Sequence, residues 1–171
     1  MAREDNIRVF EDMEAWCRTN RKIAESLKAS QAAQELILET DALPDLDKNR
    51  YEKPAKVVVS KKRTLEAARG YAGQKVAVHN FASATNPGGG VTTGAGAQEE
   101  CICRCSTLYF CLKTQEMQNR FYTPHRQAQN PIHNDDIIYT PEVLADAAGL
   151  VPMGMWGAQT EFSLAKKYLV P

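Results

Sequence analysis

The sequence lacks an excess of charge of either sign, because its 171 residues carry 21 lysines and arginines against 21 aspartates and glutamates. Such neutrality gives no overall attraction to nucleic acid or to an anionic membrane surface, so an anionic ligand would have to be held locally, by backbone amides. Long apolar runs are also absent, since the longest weakly polar run, residues 147–158, is short and contains a proline. The opening residues lack the apolar core of a secretory signal, and we therefore expect an intracellular protein, cytoplasmic or, in a eukaryote, nuclear.

Cysteine and histidine are scarce and are not spaced as metal ligands. Of the five cysteines, three stand at Cys101, Cys103 and Cys105, a spacing that matches neither paired CxxC zinc sites nor a disulfide framework. His125 and His133 have no partner at metal-ligand spacing. We therefore expect the cysteines to be structural or incidental thiols and His125 and His133 to lie at the surface. We expect no metal site.

The composition and periodicity of the chain predict a single α/β domain, with 43% hydrophobic and 25% charged residues. Apolar residues at helical spacing over 11–39 indicate one or two opening helices, and residues 41–54 are typical of a loop. The β-branched run at 55–60 and the apolar run at 75–81 predict two buried strands, with a short helix at 64–71 between them. Strand, helix and strand in this order suggest a parallel crossover unit.

Two further elements follow in the second half of the chain. Apolar residues at steps of four, three and four predict an amphipathic helix over residues 98–115. The stretch at 135–143 predicts a third strand that stops near a proline. Arg104 on the predicted helix is expected to pair with an acidic neighbour, with a phosphate-binding role as the alternative.

Glycines are concentrated in the loop between the second predicted strand and this helix. Gly88, Gly89 and Gly90 are consecutive, and they allow positive φ and a close approach of backbone amides to phosphate oxygens. Open α/β sheets bind ligands where a strand ends and a helix begins. The loop therefore indicates a diphosphate site, with a flexible turn as an alternative of equal weight.

Two adjacent carboxylates, Glu99 and Glu100, open the helix that follows the glycines. Neighbouring helical residues point about 100° apart, so only one of the two can face a ligand squarely. The alternative is that both complement the positive end of the helix dipole. Known phosphate motifs do not fit, because no Gly-Lys-Ser/Thr follows, and Gly94 and Gly96 lack the third glycine of a dinucleotide fingerprint.

These residues together resemble the signature of a known family. The stretch NFASATNPGGG from Asn80, seven further residues and QEECICRCSTLY from Gln98 are similar to the microbial-type poly(ADP-ribose) glycohydrolases. The resemblance covers roughly residues 18–143 and is most specific over 80–109. It implies a macrodomain-like α/β fold, a three-layer α/β/α sandwich, that binds ADP-ribose and cleaves the ribose–ribose glycosidic bond of poly(ADP-ribose).

The resemblance also implies roles for individual residues. Glu100 would be the catalytic acid that protonates the departing ribose oxygen, and Glu99 would hydrogen-bond the neighbouring ribose. Substrate binding would fall to Asn80, Asn86, Gln98 and the backbone of Gly88, Gly89 and Gly90. The implied partner is ADP-ribose or poly(ADP-ribose) on modified proteins, with no cofactor, no metal, no direct reading of nucleic acid and no membrane.

The chain departs from the family mainly in its length. We expect an N-terminal helical extension over 1–50, a macrodomain-like ADP-ribose-binding core over 51–145 and a divergent tail over 146–171. Family members are longer. An α/β/α sandwich that is incomplete on its C-terminal side is therefore an alternative to the complete fold. Two competing classes therefore remain: an ADP-ribose-binding module without catalysis, and a truncated inactive fragment.

Overall fold

Seven α-helices and two small antiparallel sheets form the part of the chain that the structure describes. The computed structural model describes residues 2–42, 45, 47, 49–71, 74, 76–141, 143–145 and 160–162. The helices are α1 (Arg3–Thr19), α2 (Arg21–Ala32), α3 (Thr64–Arg69), α4 (Gln98–Arg104), α5 (Leu108–Leu112), α6 (Gln115–Met117) and α7 (Thr123–Ala128). The strands are β1 (Glu35–Ile37), β2 (Ile137–Tyr139), β3 (Val143–Ala145) and β4 (Thr160–Phe162). A 3₁₀ turn covers Val91–Thr93, and a π-helical turn covers Gln118–Tyr122.

The two opening helices are divided at Asn20, which confirms the prediction of one or two helices in this region. Asn20 has extended backbone and ends α1. Its side-chain oxygen accepts hydrogen bonds from the amides of Lys22 at 3.0 Å and Ile23 at 3.3 Å, so it also caps the start of α2. Asparagine is favoured at this position because its oxygen satisfies amides that have no partner inside the helix.

The main core lies where α1 meets α4, α5 and the helical run from α6 to α7. Phe10 of α1 packs edge-on against Tyr109 of α5, with ring centroids 4.9 Å apart. The buried apolar residues of this core are Phe10, Leu65, Ala68, Val91, Ile102, Cys103, Cys105, Leu108, Tyr109, Leu112, Met117, Phe121, Tyr122 and Val143. The opening helices are thus joined to the segment that carries the glutamates by shared apolar contacts.

The amphipathic helix predicted over 98–115 is interrupted. Ser106 Oγ donates to the carbonyl of Ile102 at 2.8 Å and accepts from the amide of Leu108 at 3.2 Å. A serine hydroxyl that bonds nearby backbone groups competes with the helical ladder, so α4 ends at Arg104 and α5 begins at Leu108.

Both described sheets are antiparallel pairs. β1 pairs with β2, with Leu36 opposite Ile138, and β3 pairs with β4, with Val143 opposite Phe162. The third predicted strand is therefore confirmed at β2. Its partner, β1, follows α2 and lies within the predicted N-terminal helical extension.

The two earlier strands, predicted at 55–60 and 75–81, are wrong for the described residues, and Lys75 lies outside them. Neither segment has a ladder partner, so the described part of the chain contains no parallel crossover. Val57, Val58 and Val59 are 85%, 60% and 93% exposed. A β-branched run favours a strand only where a neighbouring strand and a packed face are available, and neither covers these valines.

His125 is also placed differently from the expectation of a surface residue. Its ring is buried, with Nδ1 2.7 Å from the carbonyl oxygen of Phe121 and Nε2 2.7 Å from Asn134 Oδ1. His133 is exposed, as predicted. The reason is long-range packing: the loop after α7 folds back over the ring of His125.

The predicted tail at 146–171 lies outside the described residues, apart from 160–162. Among the helices that the structure describes, none combines the length and the apolar character needed to cross a bilayer.

Candidate active site

The triple-glycine loop is a compact turn with left-handed backbone. Gly88 and Gly89 have φ of 70° and 56°, which confirms the predicted positive φ at these two positions. Gly90 does not share it, with φ of −99°. The amide of Gly89 donates to the carbonyl of Asn86 at 2.9 Å, and Asn86 Nδ2 donates back to the carbonyl of Gly89. Only glycine adopts this conformation without strain, because a Cβ would crowd the backbone.

Glu99 acts as an internal acceptor for the loop. Its side chain is 3% exposed, and Oε2 accepts from the amide of Ser83 at 2.8 Å. Oε1 accepts from the amide of Gly88 at 3.2 Å and from Asn80 Nδ2 at 3.5 Å. Burial raises the pKa of Glu99 above its ordinary value, the three hydrogen bonds lower it in part, and the neighbouring Glu100 raises it further.

Glu100 uses only one of its two carboxyl oxygens. Oε1 accepts from the amide of Gly90 at 2.9 Å. Oε2 is buried and has no hydrogen-bond partner among the described residues. A Cβ on Gly89 would overlap Glu100 Oε1 and stand 3.0 Å from the Glu100 carboxyl carbon, so the carboxyl lies directly against the glycine backbone. The loop therefore holds this carboxyl group through one oxygen and leaves the other without a hydrogen-bond partner among the described residues.

The three glycine amides all point inward in this conformation. They donate to Glu99 Oε1, to the carbonyl of Asn86 and to Glu100 Oε1. In this conformation the three amides are satisfied within the protein, and their role in binding a diphosphate stays a prediction. Two of the amides donate to the buried carboxylates behind the loop, because buried acceptors need donors, and the Gly89 amide closes the turn onto Asn86.

Gln98 fastens the segment around Asn80 to the start of α4. Its Oε1 accepts from the amide of Phe81 at 2.7 Å, and its Nε2 donates to the carbonyl of His79 at 2.8 Å. The same nitrogen donates to Thr64 Oγ1 at 3.1 Å. Both polar atoms of Gln98 are thus used within the protein, which fixes the position of Asn80.

A cavity of about 470 Å³ adjoins Asn80 and is lined mainly by apolar side chains. Two residues of its lining carry a buried polar atom that has no partner among the described residues: Oδ1 of Asn80 and the hydroxyl of Tyr122. Burial and the carboxyl of Glu99 raise the pKa of Tyr122, so its hydroxyl stays protonated. Sequence reasoning missed Tyr122, because an aromatic residue within a helical run carries no pattern that separates it from the core.

Arg104 does not pair with an acidic neighbour, which corrects the sequence expectation. It is 4% exposed and donates to the carbonyl of Ala95 at 3.0 Å and to Cys101 Sγ at 3.1 Å. No carboxylate of the described residues lies within ion-pair distance of it. Within the same part of the chain, no group of three or more His, Cys, Asp or Glu residues is arranged to hold a metal ion.

The structure thus brings every predicted site residue into one neighbourhood. Asn80, Asn86 and Gln98 surround the glycine loop, and both glutamates stand behind it. The fold and this arrangement define a class: an α/β protein in which a positive-φ glycine loop is seated on a buried glutamate pair.

Comparisons with known proteins identify the family. The family described as microbial-type PARG, catalytic domain, matches residues 4–145. The chain belongs to this family. A poly(ADP-ribose) glycohydrolase from Thermomonospora curvata is 26% identical with a TM-score of 0.74, and the match covers 93% of this chain. One from Deinococcus radiodurans in complex with ADP-ribose is 31% identical with a TM-score of 0.62, over 80% of this chain. The fold is therefore the macrodomain-like fold of these glycohydrolases.

The match covers only part of each relative. It spans 62% of the T. curvata chain and 55% of the D. radiodurans chain. A stretch of 31 residues is 58% identical to the (R)-phenyllactyl-CoA dehydratase beta subunit of Clostridium sporogenes. This stretch amounts to 18% of the chain and 8% of the dehydratase subunit, and it carries no argument about the whole protein.

Proposed function

We propose that the protein is a poly(ADP-ribose) glycohydrolase, which hydrolyses ribose–ribose glycosidic bonds of ADP-ribose polymers on modified proteins and releases ADP-ribose. The observation that carries the proposal is Glu100, whose Oε2 is unpartnered beside a loop that only glycine can form. Structures of the T. curvata relative with the inhibitor ADP-HPD and of the D. radiodurans relative with ADP-ribose support the ligand class.

The two glutamates differ in how many hydrogen bonds they make within the protein, and this difference supports different roles for them. Glu99 accepts three bonds from the protein, so it organises the loop and orients Asn80. Glu100 keeps one oxygen free, which is the requirement for an acid that protonates the departing ribose oxygen. Glycine at position 89 lets a sugar approach this carboxyl without interference from a side chain.

A single acid serves both halves of the proposed reaction. Glycosidases with two separated carboxylates place them about 5 to 10 Å apart on opposite sides of the sugar. Here both carboxylates lie side by side behind one loop. Glu100 therefore first gives its proton to the leaving oxygen and then, as a carboxylate, takes a proton from the water that attacks an oxocarbenium-like ribose. Asn80 and Asn86 orient that ribose, and Gln98 keeps Asn80 in place.

The test separates the enzyme from its two alternatives. Purified protein is incubated with poly(ADP-ribose), and released ADP-ribose is measured by chromatography, with ADP-ribose affinity measured by calorimetry. Release supports the glycohydrolase, and affinity without release supports a binding module. The absence of both, in a protein of poor solubility, supports an inactive fragment.

The Glu100→Gln variant tests the assigned acid. It should keep ADP-ribose affinity and lose at least the ~10²-fold that general acid catalysis typically contributes. Glu11→Gln makes the same chemical change at an exposed position of α1 and should leave turnover unchanged. Turnover of Glu100→Gln within a few-fold of the parent would remove Glu100 from the role.

A further inference from the structure

A second cavity, which we call the α4 cavity, lies on a different face of α4 from the glutamate pair. Its volume is about 480 Å³, within the range of small-molecule sites. Gln98, Cys101 and Cys105 line it along one helical face, and residues of α1 and the start of α3 complete it. Among its lining residues are two arginines, Arg63 and Arg104, and one glutamate.

Asn6 contributes an unsatisfied acceptor to this cavity. The residue is 7% exposed, and its Nδ2 donates to the carbonyl of Gly94 at 2.9 Å. That bond fixes the orientation of the amide. Its Oδ1 is buried and has no partner among the described residues. Buried polar atoms are normally hydrogen-bonded, so an orphan acceptor on a residue of the cavity lining favours a donor on a bound molecule.

Arg104 contributes a buried positive charge without a counter-ion. Only two of its five N–H groups are used in the hydrogen bonds described above, one to a backbone carbonyl and one to the Cys101 thiol. The carboxylate on the cavity lining, Glu66, accepts a hydrogen bond from the backbone amide of Arg63 at 3.1 Å. A guanidinium that is taken out of water is stabilised by an anion that accepts from its remaining N–H groups.

We propose that the α4 cavity binds a small phosphate that also carries hydroxyl groups, of the sugar-phosphate class. Arg104, with Arg63 at the rim, binds the phosphate, and Asn6 Oδ1 accepts a hydrogen bond from a hydroxyl. The phosphate is required by the two arginines and the hydroxyl by Asn6, and the glutamate site uses none of these three residues. The proposal goes beyond the proposed glycohydrolase activity and does not depend on it.

Cys101 provides a direct reporter of occupancy. It lines the cavity and is the only partly exposed cysteine, because the other four are buried. Ribose 5-phosphate at millimolar concentration should slow the alkylation of Cys101 by neutral iodoacetamide at least five-fold, as measured by peptide mass spectrometry. Ribose and inorganic phosphate, which each meet one requirement, should protect less. Unchanged alkylation of Cys101 with ribose 5-phosphate would overturn the proposal.

Two variants assign the protection to this cavity. Asn6→Asp keeps the size of the side chain and places a negative charge where the ligand is anionic, so protection should be lost. Arg63→Gln removes a rim charge from an exposed residue and should weaken protection several-fold. Arg50→Gln, at an exposed arginine outside the cavity, is the matched control and should behave as the parent.

The parent, Arg63→Gln and Arg50→Gln proteins are compared only after thermal melts show the same folded state. Arg63→Gln keeps the test decisive if Asn6→Asp fails to fold. Full protection in the folded Arg63→Gln variant, equal to that in Arg50→Gln, would show that ribose 5-phosphate binds elsewhere and would overturn the proposal.

Discussion

The loop at 80–97 and the segment at 51–63 are both irregular backbone, but they differ in how far the rest of the protein holds them in place. The loop is tied to α4 by side-chain acceptors, with amides of Phe81, Ser83, Gly88 and Gly90 each donating to Gln98, Glu99 or Glu100. The segment leaves a run of valines in solvent. Buried side-chain acceptors therefore give the loop its specific conformation. The strand preference of the valines in the 51–63 segment does not give that segment a packed conformation.

The largest expected effect comes from adding a side chain to the loop. In Gly89→Val, the Cβ overlaps Glu100 Oε1 and the positive φ becomes strained. The Glu100 carboxyl would have to leave the Gly90 amide. We expect ADP-ribose binding to be lost and the free energy of unfolding to fall by about 3 kcal/mol, from about 1–2 of backbone strain and about 1–3 of overlap. Calorimetry and urea unfolding measure the two effects.

Gly96→Ala is the control for adding a side chain to a glycine in the same segment. No heavy atom lies within 4 Å of a Cβ at position 96, and Gly96 is not among the positive-φ glycines. The variant should bind as the parent does. Equal ADP-ribose affinity in Gly89→Val and Gly96→Ala would show that the triple glycine is only a hinge.

An intermediate effect is expected for Glu99→Gln. One carboxylate oxygen becomes a donor that faces either the Ser83 amide or the Gly88 amide, which leaves a buried N–H without an acceptor. The free energy of unfolding should fall by about 1–3 kcal/mol. If the loop were held by the glycines alone, urea unfolding of the variant and the parent would coincide.

The same variant has a pH signature that follows from the raised pKa of Glu99. The folded protein binds this proton more tightly than the unfolded chain does. The Glu99 contribution to the free energy of unfolding is therefore fully present below the ordinary value of 4.5 and is lost as pH rises through the raised pKa. The stability advantage of the parent over Glu99→Gln should shrink over that window. A constant difference from pH 4 upward would mean that Glu99 has an ordinary pKa.

The smallest effect concerns the exposed valines. Val59→Ala should change the free energy of unfolding by less than about 0.5 kcal/mol, because the side chain is 93% exposed. Val91→Ala makes the same chemical change at a residue that is 0% exposed and should cost about 2 kcal/mol. Equal losses in the two variants would mean that the 55–60 segment is packed in solution, as the sequence predicts.

Local patterns account for the predictions that were confirmed. The two opening helices and α3 each depend on residues within a few positions of one another, and so do the positive φ values at Gly88 and Gly89. The wrong predictions depend on partners distant in the chain. The valines at 57–59 have the preference for a strand but no neighbour, and Arg104 has charge but no acid beside it.

The sequence by itself determined the chemistry of the candidate site: three glycines, two carboxylates and the asparagines near them. Only the tertiary structure decided how these groups are used. Gln98 reaches Thr64 across 34 positions, and Asn6 reaches Gly94 across 88. Such contacts hold the start of α4 and the end of the glycine loop against segments that are distant in the chain. They arise from packing between distant segments, and local preference contains no information about them.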